Sequence, residues 1–101
     1  MVTPFQIQLT ELAVADLAVL NPFEQRRIIL EMAEQLSLDP IEPSRRRKRL
    51  VGIEPPWEQA QPVWQLRIGD FRVFYDTDET ARVVWVRAIR RKGRKMTKEI
   101  L

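Results

Sequence analysis

Val63-Trp64-Gln65-Leu66-Arg67-Ile68-Gly69-Asp70-Phe71-Arg72-Val73-Phe74-Tyr75-Asp76 is the stretch on which the fold turns. Two runs alternate side chains with the period of two that belongs to strands, and Gly69-Asp70 joins them as a two-residue hairpin turn, glycine supplying the positive φ such turns need. A third run, Arg82 to Ile89, follows a turn at Thr77 to Ala81, so this half reads as a three-stranded antiparallel meander. The alternation predicts two faces. Trp64, Leu66, Ile68, Phe71, Val73, Tyr75, Val84, Val86 and Ala88 share one, apolar but for the Tyr hydroxyl. Val63, Gln65, Arg67, Arg72, Phe74, Asp76, Val83, Trp85 and Arg87 share the other, which is expected to be open.

Working outward toward the N-terminus, Phe5 to Leu9 also alternates as a strand, and Thr10 then offers an N-cap to a short helix carrying Leu12, Ala13, Leu17 and Leu20. Asn21-Pro22-Phe23-Glu24 starts a second helix: Asn at the cap, Pro at the first helical position and Glu placed to return a hydrogen bond. Its apolar stripe is Ile29, Met32, Ala33 and Leu36, a core-facing pattern that makes the pair an αα-hairpin packed on the apolar sheet face. Asp39-Pro40-Ile41-Glu42-Pro43 ends the helix, and residues 39–62 are read as a Pro-rich, basic loop. Residues 90–101 form a basic C-terminal tail. The expected class is α+β: one domain over residues 1–101 with an N-terminal strand, a helical hairpin and a three-stranded meander packed on the helices.

The 101 residues hold 17 Lys and Arg against 14 Asp and Glu, with 45% apolar residues, a foldable composition for one core. There is no Cys and no His, which excludes disulfides, Cys/His metal sites, thiolate nucleophiles and imidazole acid–base catalysis. No cofactor or metal is called for. The first 20 residues lack the pattern of a signal peptide and no apolar run is long enough to span a membrane, so the expected setting is soluble and cytoplasmic. Charge is divided by position. Residues 1–44 hold two basic and seven acidic side chains, and residues 45–101 hold the other 15 basic and seven acidic ones, which points to a surface for a polyanion.

On the open face, Arg67, Arg72 and Arg87 interleave with Phe74 and Trp85, a plausible surface for single-stranded nucleic acid because guanidinium groups pair with phosphates and rings stack on bases. Arg45-Arg46-Arg47-Lys48-Arg49 and the tail cations Arg90, Arg91 and Arg94 would add phosphate contacts. Arg stays charged at any working pH, so it suits stabilisation of a phosphorane and not proton transfer. Asp76, Lys48 and Tyr75 are the chain's own candidates for moving protons, none of them strong.

The order of elements, together with Phe5 to Leu20, Arg49-Leu50-Val51-Gly52, the Leu66 to Tyr75 segment and Val84 to Arg91, resembles the RelE/ParE superfamily of bacterial toxin-antitoxin modules. The resemblance implies a toxin that promotes mRNA cleavage in the ribosomal A site and is silenced by an antitoxin protein. It makes Arg72 and Arg91 the catalytic pair at the scissile phosphate, with Arg67 and Arg90 as substrate contacts; Arg87, Trp85 and Phe74 of the open face and Lys48, Arg49 and Arg94 of the basic runs complete the expected RNA-binding set. Two departures stand out: the RelE lysine pair falls on Val63 and Gln65, and the C-terminal tyrosine falls near Met96 or Thr97. A ParE-like inhibitor of DNA gyrase, or a nucleic-acid-binding module without catalysis, are the alternatives that these losses keep open.

Overall fold

A computed structural model describes residues 3–101 of the chain. The elements are β1 (Gln6–Leu9), α1 (Glu11–Ala18), α2 (Pro22–Leu36), β2 (Arg47–Leu50), β3 (Val63–Ile68), β4 (Phe71–Asp78) and β5 (Val83–Arg91), followed by a 3-10 turn at Thr97–Glu99. They form one five-stranded sheet in the order β1-β5-β4-β3-β2, with β1 parallel to β5 and the other pairs antiparallel. The meander is therefore extended by a strand on each side. β2 lies inside the stretch expected to be an irregular loop. Its run of cations reads as part of that basic loop, yet an edge strand accepts cations because one side of its backbone pairs while its side chains reach water.

Local chemistry sets the helix starts as expected. Thr10 caps α1 by accepting from the Ala13 N–H at 3.3 Å, and Asn21 and Glu24 form a reciprocal capping box at the start of α2, with Pro22 in its first turn. The buried stripe of α2 differs from expectation: Ile28, Met32 and Leu36 enter the core, whereas Ile29 is 49% exposed and Ala33 is exposed. These three residues recur at i, i+4 and i+8, a row that stays on one side of a helix. They pack against Trp64, Leu66, Ile68, Phe71, Val73, Tyr75, Val84 and Val86, the sheet face predicted to be apolar.

The other face is not open at its centre. Leu50, Val63, Phe74, Ala88 and Ile100 form a second cluster, covered by Ile53 and Trp57 of the segment after β2 and joined by Leu12 and Leu101. Ala88 was expected on the helix side. Between β4 and β5, Phe74 faces Ala88 while Tyr75 faces Val86, which leaves Arg87 as the extra residue of a β-bulge. Every β5 side chain beyond it changes face, so Ala88 joins the second cluster and Ile89 the first. Simple alternation cannot show such a slip.

Candidate nucleic-acid interface

At the uncovered end of this second face, beside the Gly69 turn, backbone register brings three arginines into one row. Arg67 faces Arg72 across β3 and β4, and Arg72 faces Arg90 across β4 and β5. The Arg72 guanidinium donates to the carbonyls of Gly69 at 2.8 Å and Phe71 at 2.9 Å, which aims the group back over the turn. Partial burial lowers its pKa, and the charge of Arg67 lowers it further, with Asp70 opposing. Among the described residues neither Arg67 nor Arg72 has a carboxylate partner. Like charges held together in this way attract an anion.

Three other predicted arginines, Arg87, Arg90 and Arg91, are paired with carboxylates. Arg90 bonds to Asp16 of α1, and its guanidinium lies 5.1 Å from the Trp57 ring. Arg91, expected beside Arg72, instead faces Phe71 in the register, lies 4.5 Å over that ring and donates to Glu24 of α2 at 2.8 Å. This hydrogen bond is the main cause of a lowered Glu24 pKa. The bulge explains the exchange: it turns Arg90 toward the second face and Arg91 toward the helices. Arg87 makes a bidentate pair with Asp76 at 2.7 and 3.2 Å, and Asp76 also accepts from the Ala60 N–H at 3.0 Å. Buried Asp76 thus ties β5, β4 and the covering segment together.

The aromatic expectations separate. Phe74 is fully buried, with Trp57 at 5.5 Å, and so is no exposed stacking platform. Trp85 is 37% exposed, 5.6 Å from the Arg87 guanidinium. Tyr75 is also fully buried, and its hydroxyl donates to the Pro40 carbonyl. Burial pushes its pKa well above the ordinary tyrosine value.

The run at 45–49 is not five equivalent cations. Arg46 pairs with Glu31, and Arg47 donates to the Gln35 carbonyl and side chain and to the Glu42 carbonyl. Lys48 faces Gln65 in the register and shares its side of the sheet, whereas Arg49 faces Trp64 and shares the helix side. Both are exposed, as is Arg94 in the turn after β5. Sequence reasoning missed Asp16, which accepts from the Ile89 N–H at 2.9 Å as well as holding Arg90, because that contact spans 73 residues of chain. Among the described residues no group of three or more His, Cys, Asp or Glu side chains is placed to hold a metal ion, and no helix is long and apolar enough to cross a membrane.

Comparison with known proteins adds the lineage. The chain aligns with a chain of the toxin-antitoxin complex RelBE2 from Mycobacterium tuberculosis at 24% identity and TM-score 0.62, covering 85% of this chain and 95% of that one. It aligns with a chain of the archaeal RelE-RelB complex from Pyrococcus horikoshii OT3 at 22% identity and TM-score 0.66, covering 89% and 97%. At these identities the likeness concerns the fold. No curated protein matches the sequence significantly. The sequence model for the ParE toxin of the type II toxin-antitoxin system parDE matches residues 7–96, nearly the whole domain. The chain belongs to the ParE toxin family of type II toxin-antitoxin systems.

Proposed function

We propose that this toxin arrests growth by ribosome-dependent cleavage of mRNA and is held in check by a cognate antitoxin protein. The observation that carries the reading is the pairing state of the arginines: Arg87, Arg90 and Arg91 each hold a carboxylate, while Arg67 and Arg72 face one another with none among the described residues. A phosphodiester seated between these two relieves their repulsion and places its developing negative charge against two guanidinium groups, of which Arg72 is held by the Gly69 and Phe71 carbonyls. Lys48 supports the same reading. It stands opposite Gln65, one of the positions where the resemblance calls for lysine, so the neighbouring strand returns an ammonium group to that part of the face.

The chain's own proton-moving groups are few. Asp76 is locked to Arg87 and Ala60, and the Tyr75 hydroxyl is spent on Pro40, which leaves Lys48, opposite Gln65, as the remaining one of the three candidates. Catalysis in this reading is mainly charge stabilisation and positioning, with the ribosome and the RNA itself completing proton transfer. The antitoxin suits the opposite side of the molecule. Ile7, Leu9, Leu17, Ile29, Met32 and Ala33 line an apolar groove of about 300 Å³, and Phe23 and Leu30 of α2 are 73% and 63% exposed.

Expression in growing cells followed by mapping of new 5′ ends in translated mRNA tests the cleavage. New ends that vanish in Arg72→Ala are expected; growth arrest with intact transcripts overturns the proposal. A second reading, inhibition of DNA gyrase, is favoured by the match to the ParE sequence model and by the sequestration of Asp76 and Tyr75. Its signature is loss of supercoiling by gyrase in vitro with mRNA left whole.

A further inference from the structure

A crevice of about 350 Å³ opens between the start of α1 and the segment covering the second face, lined by Thr10, Glu11, Leu12, Trp57, Glu58 and Arg87. This volume falls within the range of about 300–1,000 Å³ typical of small-molecule clefts. We propose that the crevice takes one unstacked nucleobase of the bound RNA beside the phosphate site; the inference rests on the RNA reading above.

The lining suits a base better than a phosphate. Glu11 and Glu58 are exposed carboxylates that repel a phosphate but accept from the amino and imino N–H groups on the Watson–Crick edge that every unpaired base presents. Trp57 and Leu12 supply apolar surface for the ring faces. Arg87 gives Nε and Nη2 to Asp76, and among the described residues its Nη1 makes no hydrogen bond, leaving a donor for a base carbonyl. That donor is fixed in place, because Asp76 is almost fully buried and is held a second time by the Ala60 N–H. Trp57 also joins the crevice to the phosphate site: Arg90 lies against its ring, and Arg90 is the register partner of Arg72. Trp57 thus stands between the crevice and the arginine row.

Nucleosides test this without any phosphate. Isotope-labelled toxin is titrated with adenosine, guanosine, cytidine and uridine, and with ribose 5-phosphate, while amide and indole N–H signals are followed by NMR. Saturable shifts at Thr10 to Leu12, Trp57 and Glu58 are expected with at least one nucleoside, weakened about tenfold or more in Glu11→Gln/Glu58→Gln. Absence of such shifts with all four nucleosides, or equal shifts with ribose 5-phosphate, overturns the assignment. Because mRNA cleavage is scored separately, nucleoside binding in a protein that cleaves no RNA supports the crevice and removes the endonuclease; cleavage without nucleoside binding does the reverse.

Discussion

Arg72 and Arg90 face each other across β4 and β5, yet among the described residues only Arg90 has a carboxylate, supplied by Asp16 from α1. The sheet thus holds one compensated and one uncompensated guanidinium side by side. The proposed phosphate site follows from this difference and not from the number of cations at this end of the chain.

Arg72→Ala is expected to lower mRNA cleavage by about 10²-fold or more, the loss typical of removing one donor to a developing oxyanion. Arg46→Ala is expected to change it little, since Arg46 is engaged by Glu31 on the helix side. Mapping 5′ ends from equal amounts of each variant makes the comparison. Equal losses from the two would remove the strand site.

Lys48→Ala and Arg49→Ala separate the two faces of β2. Neighbours in sequence, they have register partners on opposite sides of the sheet, Gln65 and Trp64. Cleavage is expected to fall by about 10²-fold in the first, the scale of a lost proton-transfer group. In the second it should be nearly unchanged. The same assay with ribosomes present reads both.

Asp76→Ala is expected to destabilise the fold by about 3–5 kcal/mol, because it leaves Arg87 buried without its partner. The Asp76 and Arg87 side chains are only 3% and 13% exposed, so solvent offers little relief. Adding Arg87→Met should recover part of the loss by removing the stranded charge. Urea denaturation measures both variants; a loss no larger than that of a surface substitution would show that the pair does not hold the covering segment.

Tyr75 links stability to alkaline pH. Burial keeps the phenol protonated in the folded chain, whereas the unfolded chain ionises near the ordinary value of 10.0. The sign follows: the contribution is complete below that pH and is lost as pH rises above it, since only the unfolded state gains from releasing the proton. Tyr75→Phe should cost about 1 kcal/mol at neutral pH by removing the bond to Pro40. Its stability should also fall less steeply in alkali than that of the wild type. As this is the only tyrosine, tyrosinate absorbance should appear only with unfolding.

Periodicity and capping chemistry were strong enough to show the αα-hairpin, the Gly69 turn and the sheet face beneath the helices. Arg72 and Arg67 were legible as neighbours because an uninterrupted hairpin keeps its register. What lay beyond reach depended on contacts distant in sequence. β2 carried charges that its edge position makes tolerable, and Phe74 looked exposed because nothing local showed that Trp57 and Ile100 would cover its face. Ile28 was passed over for Ile29 since both fit an apolar stripe, and the tilt of α2 on the sheet decides between them. The partners of Arg90 and Arg91 come from α1 and α2, 74 and 67 positions earlier in the chain.

The extra residue at Arg87 acts as a phase shift in the strand, deciding which side of the sheet every later β5 side chain takes. Removing Arg87 itself would restore plain alternation yet keep the partners beyond it, since Val86 would still stand opposite Tyr75 and Ala88 opposite Phe74. Arg90 would remain opposite Arg72 and Arg91 opposite Phe71; only the full-length strand running without its bulge would exchange them. Strand phase, more than side-chain identity, therefore decides which of two consecutive arginines shares the side of Arg67 and Arg72 and which turns toward the helices.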